Sequence, residues 1–390
     1  MFKSSHLVFN PRVRKSPFFI STMNHGASAF TIYNHMYLPI SYEGVIEDYN
    51  KVLNGVQLWD VGVERQIQIK GPDAEALAQF LTPRDIKKCA VGQAMYAPFL
   101  DFNGGFLNDP VMLKISEDCF WFSIADGDSL LWVQALAAGY KFDVVVDEPD
   151  VSPLQVQGPN SAKLMSKVFG DWIDDLGFYK FKDVNHNGIP MVIARMGYSR
   201  ELCYEIFLQD HSKGNQLWEI LWEAGKDLNI SPGGPNIILR LEGGILSYGG
   251  DVDRSNNPFE VGLEWMIDLN QEDDFIGKEA LSEIKFKGPT KKLMGAEIKG
   301  DPINYSNQEH LPVSVDGKNI GTMNTMTYSP RLDKNISYVF LDIKYAKVGQ
   351  EIIISLPDED LEARVVDIPW LKRAKTVSYT HLTLPTNREV

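Results

Sequence analysis

The clearest pattern along the chain is a short one that occurs twice. Ile67-Gln68-Ile69-Lys70-Gly71-Pro72-Asp73-Ala74 returns 87 residues later as Leu154-Gln155-Val156-Gln157-Gly158-Pro159-Asn160-Ser161. In each copy apolar and polar positions alternate with the period of a strand. Gly-Pro then breaks the strand, and an Asp or Asn stands where a helix would be capped. The pattern predicts helices over 73–82 and 160–169. A single repeat at this spacing does not describe a solenoid. It predicts two related α+β halves, each a sheet with helices on one face.

Between the copies, 95–100, 110–116 and 119–125 read as strands, with Asn103-Gly104-Gly105 turning the first onto the second. A helix fits 128–138. After the second copy, Ile189–Met196 and Leu202–Leu208 read as strands and Gln216–Leu228 as a helix. Pro232-Gly233-Gly234-Pro235 predicts a break, followed by a helix from Asn236 to Leu246. The texture changes at Phe286-Lys287-Gly288-Pro289-Thr290-Lys291-Lys292, a basic linker. Beyond it come short alternating runs at Leu293–Ile298, Leu311–Val315, Asn319–Met326, Ser337–Leu341, Glu351–Ser355 and Ala363–Ile368. With Asp316-Gly317 as a hairpin turn, these predict an all-β barrel or sandwich. The expected domains are 1–150, 151–285 and 286–376. Residues 377–390 follow no earlier pattern, resemble translated vector sequence and are set aside as a non-native tail.

Composition supports a folded chain, with 44% apolar and 23% charged residues among 390. The formal charge of −14 is uneven. Residues 1–42 hold Lys3, Arg12, Arg14 and Lys15 and no acid, which leaves 34 of the 38 bases against all 52 acids in the rest. So acidic a body argues against a nucleic-acid surface or an anionic membrane as partner. The basic head has the bias of an organellar transit segment, but Pro11, Pro17 and Pro39 interrupt any long amphipathic helix there. Cys89, Cys119 and Cys203 are widely spaced and odd in number, and the seven histidines never pair at metal-ligand spacing. Neither a disulfide framework nor a metal site is expected, and a cytoplasmic location fits. No apolar run reaches the length of a membrane span. The sequence patterns of nicotinamide, phosphate-loop, zinc-protease and serine-hydrolase sites are absent.

A few polar residues lie in apolar or glycine-rich settings. Asp109 follows the Gly104-Gly105 turn and precedes Pro110 and an apolar strand, where it is either a turn residue or an acid/base group at a strand mouth. Glu205 sits inside a strand, and if buried it needs a donor. Arg240 falls in a helical run where an Arg–Glu pair with Glu242 is an equal reading.

Together these stretches resemble the folate-dependent T-protein of the glycine cleavage system and its relatives. The resemblance is carried by Leu58-Trp59-Asp60-Val61, Leu81-Thr82-Pro83-Arg84-Asp85, Gly104-Gly105-Phe106-Leu107-Asn108-Asp109 and Ala194-Arg195-Met196-Gly197-Tyr198 with Tyr204-Glu205-Ile206. It continues through Leu239-Arg240-Leu241-Glu242-Gly243, Tyr248-Gly249-Gly250-Asp251, Asn257-Pro258-Phe259-Glu260-Val261-Gly262 and Tyr328-Ser329-Pro330. It implies a three-domain clover-leaf with a C-terminal β-barrel and a central channel for tetrahydrofolate. Carried over by position, Asp109 is the carboxylate near the folate N5, Glu205 the acid that recognises the pterin, and Tyr96, Tyr198, Arg240 and Tyr248 line the folate. Two departures stand out. Asn108 replaces an Asp, and Ser199-Arg200 replaces Thr-Gly; the first is expected to alter charge near N5, the second the loop over the site.

Within the family the head resembles dimethylsulfoniopropionate demethylases, through Arg12-Val13-Arg14-Lys15-Ser16-Pro17-Phe18, Tyr33-Asn34-His35-Met36 and Trp59-Asp60-Val61-Gly62-Val63-Glu64-Arg65-Gln66. That branch implies methyl transfer from a sulfonium to N5. Tyr33 and Trp172 are then the aromatic candidates for the substrate, and Lys15 or Arg14 the cation for its carboxylate. The alternatives are aminomethyl transfer, in which a lipoyl carrier protein must dock, demethylation of another methylated amine or sulfonium, and folate binding without transfer. A homodimer is compatible with any of them.

Overall fold

The computed structural model describes residues 9–303, 305, 307 and 309–371; the tail at 377–390 lies outside the described residues. Two sheets stacked face to face form the centre. The first runs Val145–Asp147, Gln66–Lys70, Cys119–Ser123, Val111–Ser116, Gln93–Tyr96 in spatial order. The second runs Phe181–His186, Ile189–Ala194, Cys203–Leu208, Ser152–Gln157, Val56–Asp60, Ile230–Gly233. The repeat is built into both. Gln66–Lys70 pairs antiparallel with Cys119–Ser123 as Ser152–Gln157 pairs with Cys203–Leu208. Each repeat strand then feeds a helix, Ala74–Phe80 or Ser161–Phe169.

Strand alternation explains the layering. Ile67 and Ile69 face outward onto Leu77, Val133 and Leu136 of the covering helices Ala74–Phe80 and Ser129–Tyr140. Leu154, Val156 and Ile206 do the same against Leu164 of Ser161–Phe169 and Leu217 and Leu221 of Gly214–Gly225. The opposite faces meet each other, with Leu113 and Trp121 packed in one cluster with Val192, Ala194 and Phe207. Both faces of each sheet are covered, so Cys203–Leu208 is buried at every position.

Several expectations need revision. Pro98 lacks an N–H and splits the 95–100 run into Gln93–Tyr96 and Phe99–Leu100. The Gly104-Gly105 turn therefore pairs Phe99–Leu100 with the short strand Phe106–Asn108 rather than with Val111–Ser116. The break at Pro232 is an edge strand, Ile230–Gly233, parallel to Val56–Asp60, a position where a missing N–H is tolerated. Helix Lys278–Lys287 occupies the start of the expected linker, and the chain turns at Gly288. Val56–Asp60 precedes the first repeat copy yet belongs to the second sheet, so sheet membership does not follow a single cut at residue 150.

The head is folded, not an extension. Phe19–Asn24 is a helix, Ala29–Tyr33 and Met36–Ser41 form a hairpin, and Val45–Asn54 is a second helix. Phe18 and Tyr37 are fully buried. Ser16 Oγ donates to the Asp60 carboxylate at 2.5 Å, and the Gly62 N–H donates to it at 3.1 Å, which pins the head to the second sheet. Burial pushes the Asp60 carboxyl up to about 6 against these two bonds.

The C-terminal part is a closed six-stranded barrel of Lys291–Ile298, Lys334–Asp342, Lys318–Ser329, Leu311–Val315, Glu351–Ser355 and Asp360–Val366. Its tight hairpin sits at Asp316-Gly317, with φ of 49° and 72°, the left-handed pair that a two-residue turn between twisted strands requires. The barrel packs against helix Ile237–Gly243, where Tyr338 Oη donates to the Ile245 carbonyl at 3.3 Å. No helix among the described residues is long and apolar enough to cross a membrane.

Candidate functional site

Two chambers open off one another where the head hairpin, the stacked sheets and helix Ile237–Gly243 converge. The outer, about 230 Å³, is lined by Thr31, Tyr33 and Leu38 of the head, by Val61, Val63 and Glu64, and by Asn236, Arg240 and Leu246–Tyr248. The inner, about 80 Å³, ends at Gln155 and Glu205 between the sheets. Tyr33, Glu64, Asp109 and Tyr198 line both and form the waist between them.

Period-2 alternation delivers Glu205 to the inner chamber. Tyr204 and Ile206 face the helices, so Glu205 and Phe207 face the other sheet. Gln155 lies directly opposite Glu205 in the register and donates to it at 2.6 Å. That bond ends a directed chain. Ser199 Oγ donates to Gln157 Oε1 at 2.6 Å, Gln157 Nε2 donates to Gln155 Oε1 at 2.6 Å, and Gln155 is thereby turned with its amide N–H toward the acid. Burial pushes the Glu205 carboxyl up to about 7, only partly offset by the Gln155 bond. One bond leaves the carboxylate with acceptor capacity for a ligand carrying adjacent N–H groups.

Asp109 reaches the waist because Pro110 ends the backbone ladder and Asn108 fixes the strand before it. Asn108 is fully buried; Nδ2 donates to the carbonyls of Ala125 at 3.1 Å and Asp126 at 3.3 Å, and Oδ1 accepts from the Ala125 N–H at 2.9 Å. Asn108 thus holds a loop and is not part of the lining of either chamber. Burial pushes the Asp109 carboxyl up to about 8; bonds from its own N–H and the Tyr96 hydroxyl oppose that shift, and Asp251 adds to it.

Tyr198 and Tyr248 line the outer chamber, and the Tyr198 hydroxyl donates to the Leu246 carbonyl at 2.8 Å. Tyr96 packs in the core beneath and meets the site through Asp109. Arg240 also lines the outer chamber, with its guanidinium committed to the buried Asp251 and to Thr325 Oγ1 of the barrel at 3.1 Å. The Arg240–Glu242 pair does not form: residues two apart point to different sides of a helix, and Glu242 binds Arg331, Tyr49 and Ser329 instead. Arg200 donates to the Gly243 carbonyl, so the Ser199-Arg200 departure anchors the C-terminal end of that helix.

Of the four substrate candidates, Tyr33 is at the waist and Trp172, Lys15 and Arg14 are elsewhere. Trp172 packs on the helical face of the second sheet, with its indole N–H on the Phe169 carbonyl at 2.7 Å and the Lys182 ammonium 4.6 Å above its ring. Lys15 is exposed and stacks on Phe19 at 4.8 Å, and Arg14 pairs with Glu148 at 3.0 Å. Trp172 follows a helix that covers the outer face, and Lys15 precedes the buried Ser16–Phe19 anchor, which places both away from the chambers. The sequence reading gave no role to Glu64. Its signal was a charged residue after Trp59-Asp60-Val61, where the T-protein pattern continues differently.

Residues 19–271 match the GCVT N-terminal domain and 291–372 the glycine cleavage T-protein C-terminal barrel domain. The chain is 39% identical over 347 residues to a dimethylsulfoniopropionate demethylase of Ruegeria pomeroyi, covering 89% of this chain and 94% of that one. It is 32% identical over 342 residues to an aminomethyltransferase of Alkaliphilus metalliredigens, covering 86% and 92%. The crystal structure of the glycine cleavage system aminomethyltransferase T from Bartonella henselae shares the fold, with a TM-score of 0.83 at 21% identity over 93% of this chain and 99% of that one. The chain belongs to the glycine cleavage T-protein family of tetrahydrofolate-dependent one-carbon transferases.

Proposed function

We propose that this protein transfers a methyl group from dimethylsulfoniopropionate to N5 of tetrahydrofolate. The observation that carries the reading is the two-chamber cavity, with a recessed acceptor, Glu205, at its inner end and a second buried acid, Asp109, at its waist. The donor set fits a pterin. Glu205 has acceptor capacity beyond its Gln155 bond, as adjacent ring N–H groups require. The greater identity to the demethylase than to the aminomethyltransferases supports the sulfonium donor.

Bound tetrahydrofolate supplies N5 as the nucleophile that accepts the methyl group. The chain's own residues align and desolvate. Tyr33 and Tyr198 narrow the waist, which restricts approach to one line. Asp109, held by Tyr96, stabilises positive charge developing opposite it and takes up the proton that must leave. The leaving thioether is neutral, so no acid is needed at sulfur. Tyr248 and Arg240 wall the outer chamber and would hold the rest of the folate.

Aminomethyl transfer is the second reading, favoured by the relatives that are about one-third identical. There a lipoyl carrier protein would have to dock at the outer chamber. Incubation with tetrahydrofolate and each donor separates the two. 5-Methyltetrahydrofolate formed from dimethylsulfoniopropionate is expected, and its absence alongside methylene product from the aminomethyl donor would overturn the assignment.

A further inference from the structure

The joined chambers hold a cluster of acids that the folate end does not explain. Glu64, Asp109 and Glu205 all line them, and the base in that lining, Arg240, is already neutralised by the buried Asp251. Asp109 accepts from Tyr96 and Glu205 from Gln155. Glu64 is different. Its backbone N–H donates to the Val61 carbonyl at 2.9 Å and its carbonyl accepts from Gln66 at 2.7 Å, while no described side chain donates to its carboxylate. Burial, then the like charges of Glu205 and Asp109, push its pKa up. An acid without a donor or counter-charge is held toward its protonated form there, and a cation placed beside it draws it to the carboxylate. It belongs to the short loop between Val56–Asp60 and Gln66–Lys70, where an amide of the same shape would satisfy the fold.

We propose that Glu64 recognises the cationic head of the methyl donor and holds it at the waist between Tyr33 and Tyr198. The inference rests on the sulfonium reading of the site and adds its specificity-determining residue. A sulfonium offers no N–H or O–H to donate; its charge is spread over sulfur and the attached carbons. The matching partners are a carboxylate and aromatic surface in a low-dielectric cavity, and the waist supplies both. The donor's own carboxylate meets no free cation in the chamber lining, since Arg14 and Lys15 lie elsewhere. The cationic end therefore sets the orientation, with the carboxylate directed to the outer chamber. As the C–S bond breaks, its electron pair returns to sulfur while the N5 lone pair forms the new N–C bond and the N5 proton passes to Asp109, so the thioether that forms is neutral. The attraction to Glu64 disappears with the charge, so the residue that holds the donor lets the product go.

Because this attraction is full in the bound donor and dispersed in the transition state, it acts mainly on binding. Glu64→Gln in the full chain is expected to raise the KM for dimethylsulfoniopropionate about tenfold or more and change kcat by less than about threefold. Direct binding of two probes of one shape, 3-(trimethylammonio)propanoate and 4,4-dimethylpentanoate, isolates the charge. Wild type is expected to prefer the cation by about tenfold, Glu64→Gln to lose that preference, and both to bind tetrahydrofolate within about twofold of each other. No preference in wild type, a preference that survives the substitution, or a parallel loss of tetrahydrofolate binding would each overturn the role of Glu64. If dimethylsulfoniopropionate gives no turnover while the Glu64-dependent preference remains, the demethylase reading fails and the cation site stands.

Discussion

Asp109→Asn removes one charge at the waist and keeps the shape. With its carboxyl pushed up to about 8, Asp109 is ionised in roughly one molecule in ten at pH 7. A proton acceptor in that state gives a rate that climbs with pH, close to tenfold between pH 6 and 7, and levels off above about 8. The amide retains an oxygen for the Tyr96 hydroxyl, so the pocket is preserved, but it can take no proton. A positioned base is worth about 10²–10⁴ in rate, or roughly 3–5 kcal/mol of barrier. Single-turnover formation of 5-methyltetrahydrofolate, measured from pH 5.5 to 9 with saturating substrates, should fall by at least about 10² at the plateau and lose its slope. Stability should move the other way. A buried acid with a raised pKa keeps its proton in the folded state and loses it unfolded. It therefore costs nothing below about pH 4, and the cost grows as pH rises toward 8. The variant should match wild type near pH 4 and exceed it by a few kcal/mol at pH 9 in chemical denaturation. Unchanged turnover with an unchanged pH slope would refute the reasoning, whatever the stability shows.

Glu205→Gln should weaken tetrahydrofolate binding by about 10² in a calorimetric titration, because an amide presents a donor to donors. Wild-type affinity should fall as pH drops below about 7, where the unliganded Glu205 holds a proton that ring N–H donors must displace, and the variant should show no such dependence. Gln157→Leu cuts the Ser199–Gln157–Gln155 chain and frees the Gln155 amide to rotate, so affinity should fall several-fold with kcat retained. Gly105→Ala would place a Cβ 2.2 Å from the Arg254 carbonyl, and thermal unfolding should report a loss of roughly 1–3 kcal/mol. Asn108→Asp, which restores the family's residue, would face a carboxylate toward the Ala125 and Asp126 carbonyls and should destabilise the chain by about 2 kcal/mol or more.

The repeated strand–helix units and the barrel were legible because each announces itself within about a dozen residues: alternation, a Gly-Pro stop, a cap, an Asp-Gly turn. The head was not. Its short elements, of five to ten residues, are amphipathic only against surfaces far away in sequence, such as Asp60 for Ser16 and Asn215 for Ser21. The site divides the same way. Asp109 and Glu205 stood out as polar residues in apolar runs. Which base neutralises Asp251, and why Glu242 needs Arg331, depends on packing across residues 240–331 that no local pattern encodes. Lys15 and Trp172 fitted the chemistry of the proposed donor by residue type alone; packing decides direction, and it turns both away.

The internal repeat, which first gave the architecture, also accounts for where the site falls. Gln68 and Gln155 occupy the same place in the two copies, each on the face its sheet presents to the other. Opposite Gln68 stands Trp121, whose indole N–H donates to it at 3.0 Å; opposite Gln155 stands Glu205, which accepts from it at 2.6 Å. A tryptophan fills the space between the sheets and brings its own donor, so that half is packed shut with Leu113 and Phe207. A glutamate at the equivalent point is too small to fill it and too polar to be left without partners, so the space remains a chamber that calls for a donor. Two sheets of one plan are stacked, and at this equivalent pair one half carries Gln–Trp and is filled while the other carries Gln–Glu and lines the inner chamber. The same glutamine takes its orientation from a tryptophan in one half and from the Gln157–Ser199 chain in the other. That chain begins in the loop that departs from the family pattern, which makes Ser199 part of the support for Glu205 rather than a neutral variation.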